Sequence, residues 1–149
     1  MLHILKSKTR VLGDGLNCGE LLEALSSPLF EEQSPVQIRC DQNMGWLKMI
    51  YRCQNCSRLH FTMGDFDPSA HLEAVVHHRI YADHYSDGET TTKEELVSIL
   101  QEMAPETEIV LETSVHGAAY KLTIIYQCNP DCPCVHLDCY YERDAIIPN

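Results

Sequence analysis

The apolar positions near the start of the chain have the spacing of a short helix. Leu21, Leu22 and Leu25 fall on one helical face. Asn17 precedes them as a residue suited to the N-cap, and Glu20 follows three positions later, where its side chain completes a capping box. The pattern therefore predicts a helix that begins directly after Asn17.

Two later segments have the same helical spacing. Thr92 and Glu95 form a second capping box, and the helix that follows them is predicted to end before Pro105. Pro68 predicts the start of a third helix, which continues to about Arg79, because proline is favoured at the first helical position. The apolar faces of these two helices consist of Leu96, Val97, Leu100 and Met103 in one and Leu72, Val75 and Val76 in the other.

Alternating apolar and polar positions predict two β-hairpins. Residues 36–40 alternate and are joined by a turn to residues 46–51. Residues 109–115 and 120–126 form the second hairpin around a turn at His116. Each hairpin leads directly into a segment rich in cysteine.

The chain repeats part of its sequence. Residues 50–61 resemble residues 125–137, at a separation of 75 positions between Ile50 and Ile125. Each copy contains an apolar strand, a turn with a cysteine pair, and a return strand with a histidine. We therefore predict an α+β fold in which two related helix–hairpin–zinc-knuckle units pack together. The predicted divisions are a flexible N-terminal arm, a first unit with an added helix, and a second unit, at residues 1–15, 16–88 and 89–149.

The charge of the chain restricts the classes of partner that it can bind. Its 149 residues carry a formal net charge of −11, whereas nucleic-acid binding requires basic surface that displaces counterions from phosphates. No apolar run approaches the length of a membrane span, and the first ten residues lack the pattern of a secretory signal. We therefore expect an intracellular protein that binds neither membranes nor nucleic acids directly.

The chain has eight cysteines, and the closely spaced ones are expected to bind metal and not to form disulfides, because disulfides are rare in a reducing compartment. Tetrahedral zinc takes four ligands and prefers sulfur and nitrogen, which two close cysteine pairs can supply. Cys40, outside these pairs, is expected in the core. The simplest ligand set is one four-cysteine site made of Cys53, Cys56, Cys128 and Cys132. The alternative is two separate sites, one with Cys53, Cys56 and His60 and the other drawn from Cys132, Cys134, His136 and Cys139.

A short linear motif lies at the predicted start of the first helix. Leu16-Asn17-Cys18-Gly19-Glu20 has the form LxCxE, and Leu22 adds an apolar residue two positions beyond the glutamate. With acidic residues and a cysteine-rich region downstream, this layout resembles the small early oncoproteins of papillomaviruses and adenoviruses. The resemblance implies a retinoblastoma-type pocket protein as partner, with Leu16 and Cys18 in its groove and Glu20 on backbone amides. It also implies a viral early regulator of the cell cycle in the host nucleus and cytoplasm.

The same residues have a competing interpretation. If Asn17 caps a helix and Glu20 belongs to its first turn, Glu20 is not free to lie in an extended strand. The protein is then a zinc-stabilised adaptor whose partner the sequence does not identify.

Zinc deaminases are the enzyme class that the sequence matches best. His71-Leu72-Glu73 and the segment from Pro133 through Cys134 to Cys139 partly match their H-x-E and P-C-x-x-C signature. The two cysteines of that segment are further apart than the signature allows, and the pairing leaves Cys128 and Cys132 unused. We therefore predict a zinc-binding regulatory protein that acts by protein–protein interaction and is not an enzyme.

Overall fold

The computed structural model describes residues 3–5, 15–40, 43–53, 57–63, 80–85, 90–113, 119–128 and 130–139. Within these residues the chain forms two helices, α1 (Cys18–Leu25) and α2 (Lys93–Leu100). The strands are β1 (His3–Leu5), β2 (Val36–Cys40), β3 (Asn43–Cys53), β4 (Leu59–Met63), β5 (Ile80–Tyr85), β6 (Ile109–Glu112), β7 (Ala119–Lys121), β8 (Ile124–Gln127) and β9 (Val135–Asp138). The predicted helix at residues 68–79 lies outside the described residues.

Both helices begin at the capping boxes that the sequence predicts. The Glu20 backbone N–H donates to the Asn17 side chain at 2.8 Å, and the Glu20 carboxylate accepts from the Asn17 N–H at 3.1 Å. Thr92 and Glu95 make the same reciprocal pair at the start of α2. The two helices pack against each other and bury their apolar faces. The fully buried positions on these faces include Leu21, Leu25 and Leu96.

The described strands form one mixed sheet. Its order is β1-β8-β9-β2-β3-β4-β6-β7, and β5 pairs with β3 outside this path. β2 pairs in parallel with β9, and β4 pairs in parallel with β6, while the other neighbours are antiparallel. Only Leu122 and Thr123 separate β7 from β8, although these strands lie near opposite ends of the path. The sheet therefore curls back towards itself.

The predicted α+β arrangement of two packed helix–hairpin–zinc-knuckle units is wrong. The two predicted hairpins do form, as β2–β3 and β6–β7. They are parts of one curled sheet, however, because the parallel pairs β2–β9 and β4–β6 join the two halves of the chain through backbone hydrogen bonds. Every residue of β4 and β6 is buried, as expected for strands inside a covered sheet. The two helices are short additions to this sheet.

The two halves of the chain make equivalent backbone hydrogen bonds, one at the break between β7 and β8 and one at the register shift in β3. Leu16 donates its backbone N–H to Leu122 O at 2.7 Å, and Thr91 donates to Leu47 O at 2.9 Å. Leu16 and Thr91 are 75 positions apart, as are Leu47 and Leu122. Leu122 lies in the break between β7 and β8, and the β3 ladder shifts register directly after Leu47. After these points β3 pairs with β4, which carries His60, and β8 pairs with β9, which carries His136.

Candidate metal centre

The hairpin of β8 and β9 brings three metal-ligating side chains together. Cys128 follows β8, Cys132 lies in the turn, and His136 lies in β9. The ligand atoms of these three residues are all within 4.8 Å of one another. Cys132 Sγ is 3.4 Å from His136 Nε2. Two sulfurs and one imidazole nitrogen are thus close enough to share a metal ion, and they are ligands that zinc prefers.

The register of the hairpin explains this convergence. Tyr126 is the antiparallel partner of His136, so continuing the same register by two residues sets Cys128 opposite Cys134. Side chains at alternate positions of a strand lie on the same face of a sheet. Continued to these positions, the register would direct Cys128, Cys134 and His136 to one face, and Cys132 lies in the turn between the two strands.

Two neighbouring side chains hold the histidine and the turn in place. The Tyr126 ring stacks on the His136 imidazole, with a centroid separation of 4.8 Å and an interplanar angle of 11°. Gln127 donates its side-chain amide to the carbonyl oxygen of Cys132 at 3.2 Å. The stacking fixes the plane of the imidazole, and the hydrogen bond ties the turn to the end of β8. Both contacts preorganise the ligand atoms.

The thiols of the turn differ in acidity. Burial raises the pKa of the Cys132 thiol, but hydrogen bonds from the Cys134 backbone N–H and from the thiols of Cys128 and Cys134 outweigh it and leave the pKa below the ordinary value of 9.0. Burial and the adjacent charge of Cys132 raise the pKa of Cys134 to about 11. Cys132 therefore ionises before Cys134, and a metal-binding sulfur must be ionised.

The surroundings of His136 favour its neutral form. Burial lowers the pKa of this imidazole below its ordinary value, and the positive charge of Arg39 lowers it further. Arg39 lies in β2, the parallel neighbour of β9, where it pairs with Asp138. A neutral imidazole is the form that binds a metal ion.

Cys139, another predicted ligand, lies apart from this group. Its side chain is buried and contacts the Cys40 thiol, and its sulfur donates to the carbonyl oxygen of Arg39 at 3.8 Å. Cys40 is also fully buried, as expected from the sequence. The hydrogen bond with Cys139 raises the pKa of the Cys40 thiol, and burial raises it further. These two cysteines form a buried pair in the core.

The ligands predicted in the first half are only partly described. Cys53 is the last residue of β3, but its side chain and all of Cys56 lie outside the described part of the chain. His60 is described, is buried, and contacts Glu112, with Nδ1 2.9 Å from Oε1. Its ring stacks on Tyr51 at a centroid separation of 4.6 Å. His60 and Tyr51 thus repeat the arrangement of His136 and Tyr126.

Glu112 is a buried charged residue that the sequence patterns did not single out. It accepts hydrogen bonds from the Tyr51 hydroxyl and from His60, and only 2% of its surface is exposed. The one signal for it is a carboxylate at the end of the apolar run Ile109-Val110-Leu111. The matching position in the other half carries Arg39, because each of these two residues pairs with the position two beyond the histidine of the opposite half. The two histidines therefore have neighbours of opposite charge.

The residues of the LxCxE motif lie at the N-terminus of α1. Leu16 and Cys18 are buried, with 3% and 1% of their surfaces exposed, and Glu20 takes part in the capping box. Burial raises the pKa of the Cys18 thiol to about 11. Leu22 is partly buried against the core. In this conformation the apolar side chains of the motif are packed inside the protein.

His71 and Glu73, the histidine and acid of the deaminase-like pattern, lie outside the described residues. Among the described residues, no helix is long and apolar enough to cross a membrane. Comparison with protein-family models, curated proteins and solved structures finds no match to this chain. The candidate centre is therefore interpreted from its own geometry.

Proposed function

We propose that this chain is a zinc-binding regulatory protein that acts by binding other proteins. The observation that carries the proposal is the convergence of Cys128, Cys132 and His136 within 4.8 Å. Thiolate and imidazole together favour zinc among the divalent metals, whereas magnesium and calcium prefer oxygen ligands. A metal held across a turn joins two strands of the sheet, and its binding contributes directly to folding. The role of the ion is thus structural.

Equilibrium dialysis against buffered zinc tests the metal-binding part of this proposal. Cys132→Ser removes a central ligand and should lower the bound zinc by one ion per chain. Cys18→Ala is the matched control, because it removes a buried thiol that lies in α1 and not in the β8–β9 hairpin. Equal zinc content in the wild type and in Cys132→Ser would refute the proposed ligand set.

The order of the strands favours two separate centres over one four-cysteine site. Cys128 follows β8 and Cys53 ends β3, and these strands have β9 and β2 between them. Three strand spacings amount to about 14 Å across a flat sheet. Two sulfurs that bind one zinc ion lie only about 4 Å apart, because each zinc–sulfur bond is about 2.3 Å long. We therefore propose that the cysteine pair of each half binds its own ion.

Binding to a retinoblastoma-type pocket protein remains a separate proposal. The extended form of the motif that such binding requires is incompatible with the capping box, so the first turn of α1 would have to unwind. Unwinding would also expose Leu16 and Cys18. The geometry thus favours the adaptor interpretation, in which these residues start a helix.

Titration of a pocket domain separates the two interpretations. A synthetic peptide of residues 13–26 presents the motif without the fold, and the intact zinc-loaded protein presents it within α1. If the motif only starts a helix, the intact protein should not bind at micromolar concentrations, even where the peptide does. Binding of the intact protein as tightly as the peptide would support a pocket-protein ligand and would refute the adaptor interpretation.

A further inference from the structure

We infer that Cys134 is the fourth ligand of the metal centre and closes it as a site of three cysteines and one histidine. This inference rests on the proposed zinc binding by Cys128, Cys132 and His136. It assigns the last coordination position to a protein thiolate, which leaves the metal no open position for water or a substrate.

The hairpin register is the first argument. Ile124 pairs with Asp138, Ile125 with Leu137 and Tyr126 with His136, so the next position on the same face sets Cys128 opposite Cys134. Directly opposed residues of an antiparallel pair have Cβ atoms about 4.5–5.5 Å apart. That spacing suits two sulfurs that share one tetrahedral ion.

The contacts of the Cys134 thiol are the second argument. This thiol forms a hydrogen bond with the Cys132 thiol and lies near Cys128, and the Cys134 backbone N–H donates to the Cys132 sulfur. Backbone N–H donors to ligating sulfurs are typical supports around metal-thiolate centres. Cys134 is partly buried. Its sulfur is not part of the group of ligand atoms within 4.8 Å of one another, so it must move towards the other three to complete the set.

Two other candidate ligands near the hairpin are engaged elsewhere. The Cys139 sulfur contacts Cys40 and the Arg39 carbonyl, and Asp138 contacts Tyr126 and Arg39. Asp138 ends β9 and Cys139 follows it, at the end of the strand away from the turn, whereas Cys134 directly precedes this strand. Of the described cysteines that remain, only Cys134 lies beside the three grouped ligands.

The first half differs at the corresponding position. Arg52 pairs with Leu59 in the β3–β4 hairpin, so Arg58 is opposite Cys53, where the second half has Cys134. Arg58 forms an ion pair with Glu108 at 2.9 Å. Arg58 cannot supply the ligand equivalent to Cys134, because a guanidinium does not bind metal cations. Among the described residues, this thiol ligand is therefore specific to the second half.

Cobalt substitution and zinc competition test the assignment. The full-length chain is prepared with Cys53→Ser and Cys56→Ser, so that signals come from the β8–β9 hairpin, and circular dichroism verifies that each variant is folded. Adding Cys134→Ser should remove about one third of the thiolate-to-cobalt absorption and weaken zinc binding at least about tenfold, since even loss of a supporting partner costs 10–100-fold. Cys139→Ser is the matched control and should change neither quantity.

The outcomes distinguish this inference from the proposal on which it rests. Unchanged absorption and affinity in Cys134→Ser, or loss in Cys139→Ser, would overturn the fourth-ligand assignment but retain zinc binding. Failure of the parent chain to bind either metal would overturn both. If Cys134→Ser does not fold, zinc-edge X-ray absorption of the parent chain decides: three sulfurs and one nitrogen support the assignment, and two sulfurs refute it.

Discussion

At the scale of single residues, two matched histidines have different neighbours. Glu112 contacts the Nδ1 atom of His60, whereas the positive charge of Arg39 acts on His136. A carboxylate that accepts the Nδ1 proton fixes the orientation of the His60 ring. A guanidinium disfavours protonation of the imidazole and so helps to keep His136 neutral for a metal ion. A glutamate in β6 and an arginine in β2 thus give the two similar hairpins neighbours of opposite charge.

Glu112→Ala should be one of the most destabilising changes in the protein. It removes the acceptor that Tyr51 and His60 share in the core. Leaving buried donors without their acceptor costs about 1–3 kcal/mol for each group, so the free energy of unfolding should fall by about 2–6 kcal/mol. Urea unfolding in zinc-saturated buffer measures this loss.

An exposed acid provides the control for that experiment. Glu108 pairs with Arg58 at the surface, so Glu108→Ala should cost less than about 1 kcal/mol. Equal stability of the Glu112 and Glu108 variants would show that the buried hydrogen bonds contribute little.

The thiols should react with iodoacetamide in an order set by their pKa values. The pKa of Cys132 lies below its ordinary value of 9.0, whereas burial raises the pKa of Cys18 to about 11, so Cys132 has the larger ionised fraction of the two. Since the thiolate is the nucleophile, Cys132 of the metal-free protein should be labelled well before Cys18 at pH 8. Added zinc should protect Cys132. Peptide mass spectrometry measures both rates, and early labelling of Cys18 would contradict its described burial.

At the scale of elements, the sequence predicted local structure well. The two capping boxes were confirmed because each depends on a residue and its neighbour three positions on. The first hairpin was predicted from alternation that spans a short turn. Neither pattern shows how far a strand extends or where it bends. The Leu47 carbonyl, where β3 shifts register, accepts a hydrogen bond from Thr91, which is distant in the chain. The sequence therefore did not reveal which strands pair with each other.

Each capping side chain should contribute about equally to stability. Asn17→Ala and Thr92→Ala remove equivalent acceptors at the starts of α1 and α2, and each should cost about 1 kcal/mol. Chemical unfolding measures the cost, and Ser98→Ala, an exposed change within α2, is the control.

Hydrogen exchange provides an independent test of the first cap. The Leu16, Cys18 and Gly19 amides donate to backbone carbonyls of the second half, so they should be strongly protected in the wild type. Rapid exchange at these amides would indicate that the LxCxE segment is displayed and that α1 unwinds readily.

At the scale of the whole molecule, the halves combine in a way that the sequence could not reveal. Val36 pairs with Val135, and Leu59 pairs with Ile109, so parallel pairing joins strands far apart in the chain. Cys128, Cys132 and His136 were each candidates from the sequence, because they are close together in the chain, but the sequence did not group the three of them in one site. Glu112 and Arg39 were not candidates, since each comes from a strand of the opposite half.

The proposed pair of centres predicts the amount of zinc in the molecule. Native mass spectrometry of the zinc-loaded wild type should show two ions per chain. Cys53→Ser with Cys56→Ser should leave one ion, and Cys128→Ser with Cys132→Ser should also leave one. A single ion in the wild type, lost in both double variants, would instead support one site shared by the four cysteines.

The most direct test of the central claim is a crystal structure of the zinc-loaded protein with anomalous diffraction measured at the zinc edge. We predict an anomalous peak in the β8–β9 hairpin, about 2.3 Å from the Sγ atoms of Cys128 and Cys132 and about 2.0–2.1 Å from Nε2 of His136. A hairpin without a peak in fully zinc-loaded crystals, or with Cys128 and Cys132 joined in a disulfide, would contradict the account.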